Sequence, residues 1–174
     1  QDPARTIALA QSPAGDPMPA QGHACAAWDE TSLYLAIRIV LPKGAKAVGG
    51  AKWGAGDGVE VSFQDASGKT AGPIFLVWGD AAGRCESGPY GGASPAQVQT
   101  LEKSITYAAG IGTGEWTCEW RIPFAAAGVT PTPGQRLRLN VAVHQSASDL
   151  WAAWLATGEA LYRVERAGEL ILGR

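Results

Sequence analysis

Residues 33–41 read LYLAIRIVL, and this stretch decides the class of fold. Apolar side chains occupy every second position from Leu33 to Leu41, and Tyr34 and Arg38 lie among the residues between them. A period of two is typical of a β-strand with one buried face, because successive strand residues point to opposite faces of a sheet. The stretch therefore predicts a strand that covers a core on one side only.

The same alternation recurs in three further stretches: GVEVSFQD at 58–65, WTCEWRI at 116–122 and RLRLNVAVHQ at 136–145. PIFLVWGD at 73–80 is apolar almost throughout, which predicts a strand covered on both faces. Short final strands are expected in LWAAWLA, LYRV and GELIL. We predict an all-β, antiparallel β-sandwich of the jelly-roll type.

Helices have little room in this sequence, because 23 glycines and 11 prolines interrupt it. The segment PFAAAGVTPTPG predicts at most one or two short helical turns, and residues 87–103 are expected to form a long loop. Four of the prolines fall in the first stretch, so residues 1–22 are predicted to be a linker and edge segment before one domain over 23–174.

Composition excludes several classes of function. The 174 residues carry a formal net charge of −2 with 17% charged residues, so we expect no nucleic-acid partner. No apolar run approaches the roughly 20 residues of a membrane helix, and we expect neither a membrane partner nor a signal peptide within this sequence. Two histidines and three cysteines exclude a histidine-rich metal site and allow one disulfide at most.

Tryptophan, present 7 times, supplies the first candidates for a binding site. Trp53 lies in a glycine-rich segment just before a strand, where its ring is either a stacking platform for a sugar or a cap on the core. Trp116 and Trp120 share a strand face with Cys118 and are predicted to be buried. Four rings lie near strand ends, where either role is open: Trp78, Trp151, Trp154 and Tyr162. Trp151 and Trp154 are three residues apart and must therefore face opposite sides of a strand.

Two polar strand residues are the other candidates. Glu60 lies on the polar face of its strand, where it either meets a ligand or pairs with an arginine on a neighbouring strand. Asn140 stands between apolar neighbours in a strand, a position that requires a polar partner. Alternation points both side chains away from the core, so they share one surface if their strands belong to one sheet.

Catalytic patterns are weak. His144, Ser146 and Asp149 are close in sequence, but a triad needs convergence in space, and sequence proximity does not supply it. Glu115 and Glu119 share a strand face without any sign of a buried acid. We therefore do not predict an enzyme.

Taken together, the motifs resemble family 9 carbohydrate-binding modules, within the broader DOMON-like group of β-sandwiches. The resemblance runs from about residue 24 to residue 172 and rests on the order of these motifs: WDETSLYLAIRIV, W-x3-DGVEVSFQD, WTCEWRIPF, PGQRLRLNVAV and the closing GELIL. It implies a non-catalytic sandwich that binds saccharides, often at chain ends, between two aromatic rings.

The resemblance also assigns individual residues. Trp53 matches the first sandwiching ring, and Glu60 and Asn140 match polar residues of the family's site. Tyr162 is the nearest substitute for the second ring, with Trp154 as the other choice. A polar pair in the family's middle strand falls near Leu76 and Trp78, which departs from the family pattern.

Partners and cofactors follow from the same resemblance. It implies an accessory domain of a larger secreted enzyme, extracellular or periplasmic, whose ligands are mono-, oligo- or polysaccharides and whose parent catalytic domain lies in the same chain. Structural calcium is common in the family, and Asp57 and Asp65 are candidate ligands near turns. The alternative function is haem binding in a DOMON-like electron-transfer domain, for which the axial ligands would have to come from these residues: Met18, His23 and His144.

Overall fold

The computed structural model describes residues 6–50, 52–158 and 160–173. Within them, eleven strands follow in chain order: β1 (Thr6–Gln11), β2 (Pro17–Trp28), β3 (Ser32–Val40), β4 (Gly58–Asp65), β5 (Phe75–Asp80), β6 (Cys85–Gly88), β7 (Thr106–Ile111), β8 (Glu115–Pro123), β9 (Arg136–Gln145), β10 (Leu150–Ala153) and β11 (Gly168–Ile171). One α-helix, α1 (Pro95–Ser104), precedes β7, and two 3₁₀ helices cover Phe124–Ala127 and Val164–Arg166.

The strands pair antiparallel in the order β6-β5-β4-β9-β10-β1-β2-β3-β8-β7, and β11 also pairs with β9. Residues from β4, β5 and β9 form one buried apolar cluster with residues from β3 and β8, so the two halves of this sheet pack face to face. The all-β sandwich predicted from the sequence is confirmed. In the described part of the chain, no helix is long and apolar enough to cross a membrane.

Alternation along the strands builds this core. The even-numbered side chains of β8 from Trp116 to Ile122 are buried, and the odd-numbered ones from Leu33 to Ile39 in β3 are buried as well. Trp116 and Trp120 are 0% and 2% exposed, which confirms the prediction for both rings. Neither indole Nε1 has a hydrogen-bond partner, so each buried donor carries a desolvation cost.

The linker predicted over residues 1–22 needs correction from residue 6 onward, and residues 1–5 lie outside the described part of the chain. Residues 6–22 form β1 and the first half of β2, and β1 lies between β10 and β2 inside the sheet. Leu9 is fully buried and supplies the apolar anchor of β1. Of the prolines that suggested a linker, Pro13 falls at the turn and Pro17 and Pro19 at the start of β2, where a missing N–H is tolerated, and Pro3 lies outside the described residues.

A helix occupies part of the predicted loop over 87–103. Ser94 and Gln97 form a capping box, in which Ser94 Oγ accepts from the Gln97 amide at 3.3 Å and Gln97 Oε1 accepts from the Ser94 amide at 2.9 Å. Pro95 occupies the first helical turn. The capping residues and the proline that start this helix are visible in the sequence, but the apolar periodicity of the segment is weak.

Of two smaller predictions about short elements, one is confirmed and the other is wrong. The expected helical turn after residue 123 is the 3₁₀ helix Phe124–Ala127, which Gly128 ends in the left-handed region with φ 68°. The expected strand LYRV is instead a turn that leads into the 3₁₀ helix Val164–Arg166. This segment packs on the sheet rather than joining it, and it helps to define the candidate site.

Candidate functional site

The outward face of β4, β5 and β9 is buried by a second layer of chain. In register, Glu60 lies beside Trp78 of β5, and Ser62 lies beside Asn140 of β9. The condition for a shared surface is therefore met, since the strands of Glu60 and Asn140 are neighbours in one sheet. All four side chains are buried, because a covering segment, residues 155–158 and 160–167, lies over this face of the sheet.

Asn140 holds that covering segment in place. Its Nδ2 donates to the carbonyl oxygens of Leu155 at 3.1 Å and Leu161 at 3.0 Å. Its Oδ1 accepts from the amides of Val141 at 3.1 Å and Leu155 at 3.3 Å. The side chain, 1% exposed, thus has the polar partners that its sequence position required, and they are backbone groups.

Glu60 supports the ring of Trp78. The Trp78 Nε1 donates to Glu60 Oε2 at 2.8 Å, and Ser62 Oγ donates to Glu60 Oε1 at 3.5 Å. Burial raises the pKa of the Glu60 carboxyl, and it outweighs these two hydrogen bonds, which lower the pKa. The alternative in which Glu60 pairs with an arginine is not observed, and Arg138 instead donates to Gln64.

Two glycines form the floor beneath the tryptophan rings. A Cβ at Gly58 would lie 2.6 Å from the Trp53 ring, and a Cβ at Gly88 would collide with the Trp78 ring. Each ring therefore lies directly against strand backbone. The two rings stack on each other with centroids 5.4 Å apart and an interplanar angle of 11°.

Further aromatic rings extend this pair in both directions. Trp151 meets Trp53 edge-on at 5.8 Å, Tyr90 lies 6.1 Å from Trp78, and Tyr162 lies 6.4 Å from Tyr90. We call this set the aromatic row: Trp151, Trp53, Trp78, Tyr90 and Tyr162. Tyr90 is 65% exposed, whereas Trp78 is 9% exposed, so the row runs from a buried centre to an open end.

Hydrogen bonds fix the loop that carries Trp53. Asp57 accepts from the Val48 amide at 2.7 Å and from the Ser146 amide at 2.8 Å. His144 Nδ1 lies 2.9 Å from the Gly56 carbonyl oxygen, and its ring stacks on Trp151 at 4.5 Å. These contacts hold the Trp53 loop against β9 and β10.

A cleft of about 290 Å³ opens beside the stacked tryptophans at the β5–β6 hairpin. Besides Trp53 and Trp78, it is lined by Lys52, Gly79, Asp80, Arg84, Cys85 and Glu86. Arg84 donates through Nε and Nη2 to Asp80 Oδ2, at 2.9 and 2.7 Å. The cleft thus places carboxylate, ammonium and guanidinium groups next to aromatic rings.

The structure brings most of the predicted site residues together. Trp53, Trp78 and Tyr162 belong to the aromatic row, and Glu60 lies beneath it. Trp154 lies elsewhere, because its ring packs over Gly168 and against the main core. Of the two rings three residues apart, Trp151 is the one that joins the row. The roles of these residues in binding stay predictions.

Sequence reasoning did not select Tyr90 or the β5–β6 hairpin. Tyr90 stands between glycines in GPYGG, which is the same signal that singled out Trp53. The charged residues of the hairpin gave no periodic signal, since their grouping depends on the turn between β5 and β6.

The predicted calcium ligands do not fit a common site. Asp57 and Asp65 flank β4 at its two ends, about 25 Å apart for an eight-residue strand. Asp57 accepts from backbone amides, and both oxygens of Asp65 accept from Ser67 and Gln135. Among the described residues, no group of three or more His, Cys, Asp or Glu side chains is placed to hold a metal.

The residues proposed for haem do not converge either. Met18 and His23 lie five positions apart on β2, so they point to opposite faces of the sheet. His144 faces the Gly56 carbonyl with one nitrogen and Asp149, at 3.2 Å, with the other. Ser146 Oγ donates to Asp57 rather than to His144, so the three residues of the weak triad pattern do not form a triad.

Comparisons with known proteins agree with this architecture. A family model described as "Carbohydrate family 9 binding domain-like" matches residues 3–172. A comparison with curated proteins found no match.

Three solved structures share the fold. A family 9 module from Caldicellulosiruptor kristjanssonii in complex with cellotriose has a TM-score of 0.67 at 15% identity, over 88% of this chain and 75% of that one. A structure of a family 9 module from the same organism with glucose has a TM-score of 0.65 at 17% identity, over 88% and 77%. A putative carbohydrate-binding protein from Bacteroides uniformis ATCC 8492 has a TM-score of 0.66 at 14% identity, over 97% and 85%.

Proposed function

Because the chain belongs to the family 9 carbohydrate-binding domains, we propose that it is a non-catalytic module that binds saccharides at the aromatic row and the adjoining cleft. Similar modules were solved with glucose and with cellotriose, which supports a saccharide ligand. The observation that carries the proposal is the stacked pair of Trp53 and Trp78 beside the charged cleft.

Each part of this site suits one side of a pyranose ring. The apolar C–H face of the sugar stacks on an indole, which offers a large contact area at little cost in conformational entropy. The hydroxyl groups require paired donors and acceptors, and the carboxylate and cationic groups of the cleft offer both. The cleft holds two cationic and two carboxylate residues, a balance that suits a neutral saccharide.

Glu60 and Asn140 serve this site from beneath the rings. Glu60 accepts a hydrogen bond from Trp78 Nε1 and so fixes the orientation of the Trp78 indole. Trp78 in turn supports Trp53 by stacking. Asn140 holds Leu155 and Leu161, and Tyr162 follows directly after Leu161. Both residues are therefore proposed as positioning residues of the saccharide site.

Calorimetric titration with glucose and cellotriose tests the proposal. We expect Trp53→Ala to weaken binding by about 1–3 kcal/mol, the size of a typical hot-spot truncation, with the melting temperature nearly unchanged. Trp28→Ala is the matched control, since Trp28 is also half-buried but packs against the main core at the end of β2. Equal loss of affinity in both variants, or no binding of any sugar in a broad glycan panel, would reject a saccharide site at Trp53.

We also propose that the module acts as an accessory domain of a secreted enzyme that degrades polysaccharide, with its catalytic domain in the same chain. A tethered binding module raises the effective concentration of such an enzyme at its substrate. The test is to recover the native protein from culture medium with antibodies against this domain. We expect a chain larger than 18.0 kDa with polysaccharide-hydrolysing activity, and an intracellular 18.0 kDa chain would contradict the proposal.

A further inference from the structure

The two ends of β5 carry different parts of the candidate site. At its Asp80 end lies the cleft, with Arg84 and Glu86 from the hairpin and the start of β6. At the other end, Ile74 bridges to Gly92 and its amide donates to the Gly91 carbonyl at 2.9 Å, which brings the chain around Tyr90 to this end. Trp78 lies between the two ends and contacts both.

The Tyr90 end is apolar beneath its surface. Ile74, Leu76 and Val164 are buried here, and Tyr162 and Ala167 pack against them. Of the rings above this layer, Tyr90 is 65% exposed and lies within 26° of parallel to Tyr162. An exposed tyrosine over an apolar layer, continuous with stacked tryptophans, offers a binding surface that extends beyond one sugar ring.

A second pyranose fits this end poorly, because the charged groups that line the cleft lie at the Asp80 end, and the rings at the Tyr90 end rest on buried apolar side chains. The polar groups buried in this region are already occupied. Glu60 accepts from Trp78, and Asn140 is bonded to Leu155 and Leu161. An aromatic group needs no such partners and can stack on tyrosine.

We infer that the ligand is a saccharide that carries an aromatic substituent, such as a phenolic ether or ester. The sugar ring lies at Trp53, Trp78 and the charged cleft, and the aromatic substituent lies against Tyr90 and Tyr162. This inference rests on the proposed function, since it extends the same site.

Paired methyl and phenyl β-pyranosides of glucose, xylose, galactose and mannose test the inference by calorimetric titration of the whole chain. The two members of a pair share the sugar and differ in the substituent. For the sugar that binds, we expect a Kd at least tenfold lower for the phenyl glycoside. In Tyr90→Ala, the phenyl glycoside should bind no more than twofold tighter than the methyl glycoside, whose own Kd should stay within twofold of the parent value.

Tyr34→Ala is the matched control, because Tyr34 lies on β3 in the other half of the sandwich. It should keep the full preference for the phenyl glycoside. Equal affinity for the two glycosides, or a phenyl preference that survives Tyr90→Ala, would overturn the inference and leave the saccharide site intact. Binding of neither glycoside for any of the four sugars would overturn the inference, and only a further absence of binding to glucose, cellotriose and the glycan panel would overturn the proposed function.

Discussion

Glu60 is a strand residue that alternation assigns to a polar face but that the fold buries. Its carboxylate has lost most of its water and is held by one indole N–H and one hydroxyl. Burial of the ionised form costs more than these contacts return, which is why the pKa rises. Because the carboxyl group that fixes Trp78 is buried, the native state becomes less stable as Glu60 ionises.

This leads to a prediction about pH. Because the folded pKa of Glu60 lies above its ordinary value of 4.5, the stability that it contributes is full below that value and is lost as pH rises through the folded pKa. We expect Glu60→Gln to melt higher than the parent at neutral pH, with the difference shrinking toward pH 4. Each 1 kcal/mol corresponds to about 2–4 °C at this chain length.

Thermal unfolding between pH 4 and pH 8 measures this difference. Glu119→Gln is the control, since Glu119 is exposed on β8 and should show no such trend. A melting temperature for Glu60→Gln that is lower than the parent's by the same amount at every pH would contradict the assignment.

Asn140 leads to a prediction of the opposite sign. Asn140→Ala leaves the carbonyl oxygens of Leu155 and Leu161 without this donor in a buried setting. We expect a loss of at least about 2 kcal/mol of unfolding free energy, since each unsatisfied buried group costs about 1–3 kcal/mol. Urea denaturation measures it, with exposed Thr117→Ala on β8 as the control. A loss below about 0.5 kcal/mol would mean that Leu155 and Leu161 are held by other contacts.

At the scale of elements, strands with one buried face were predictable and the layer over the outer face was not. In β3 and β8, strict alternation identified Leu35 and Trp120 as core residues, and they are neighbours in register. The covering segment has no apolar period, and the positions of Leu155 and Leu161 depend on hydrogen bonds from Asn140, on a strand that precedes them in the chain. Sequence therefore indicated Trp53 and Glu60 as site residues, whereas the covering segment and the role of Trp78 required tertiary contacts.

The β8 strand gives a prediction about its two buried indoles. Truncation of Trp120 to alanine should cost about 3–5 kcal/mol, the range for a large core aromatic. Trp120→Phe should cost clearly less, because it also removes a donor without a partner. Chemical denaturation of both variants and of the Trp116 counterparts measures the costs. If the phenylalanine variant is as unstable as the alanine variant, the indole N–H has a partner in solution.

At the scale of the whole molecule, the described structure contains no disulfide, and its two halves are joined by strand pairing through β10 and β1 and by packing of the core. Cys25, Cys85 and Cys118 are all free thiols. Burial raises the pKa of Cys85 and of Cys118 to about 12, so both are almost entirely protonated at neutral pH. We expect slow oxidation of Cys85 and Cys118, because the thiolate is the reactive form.

We therefore expect the melting temperature of the chain to be the same with and without a reducing agent. Under native conditions a thiol reagent should leave Cys118 unmodified, and in urea all three cysteines should react. Mass spectrometry counts the modified sites. A drop of several degrees in the presence of reductant would indicate a disulfide in the mature protein.

The glycines beneath the two indoles also bear on how such a site is gained or lost in evolution. A single methyl group at Gly58 or Gly88 would lift a ring off the strand. We therefore expect a one-codon change at either glycine to abolish binding without altering any aromatic or charged residue. A comparison of ligand-contacting residues alone would not detect such a change. In related sequences, we expect glycine at these two strand positions to mark a working platform better than the tryptophans themselves.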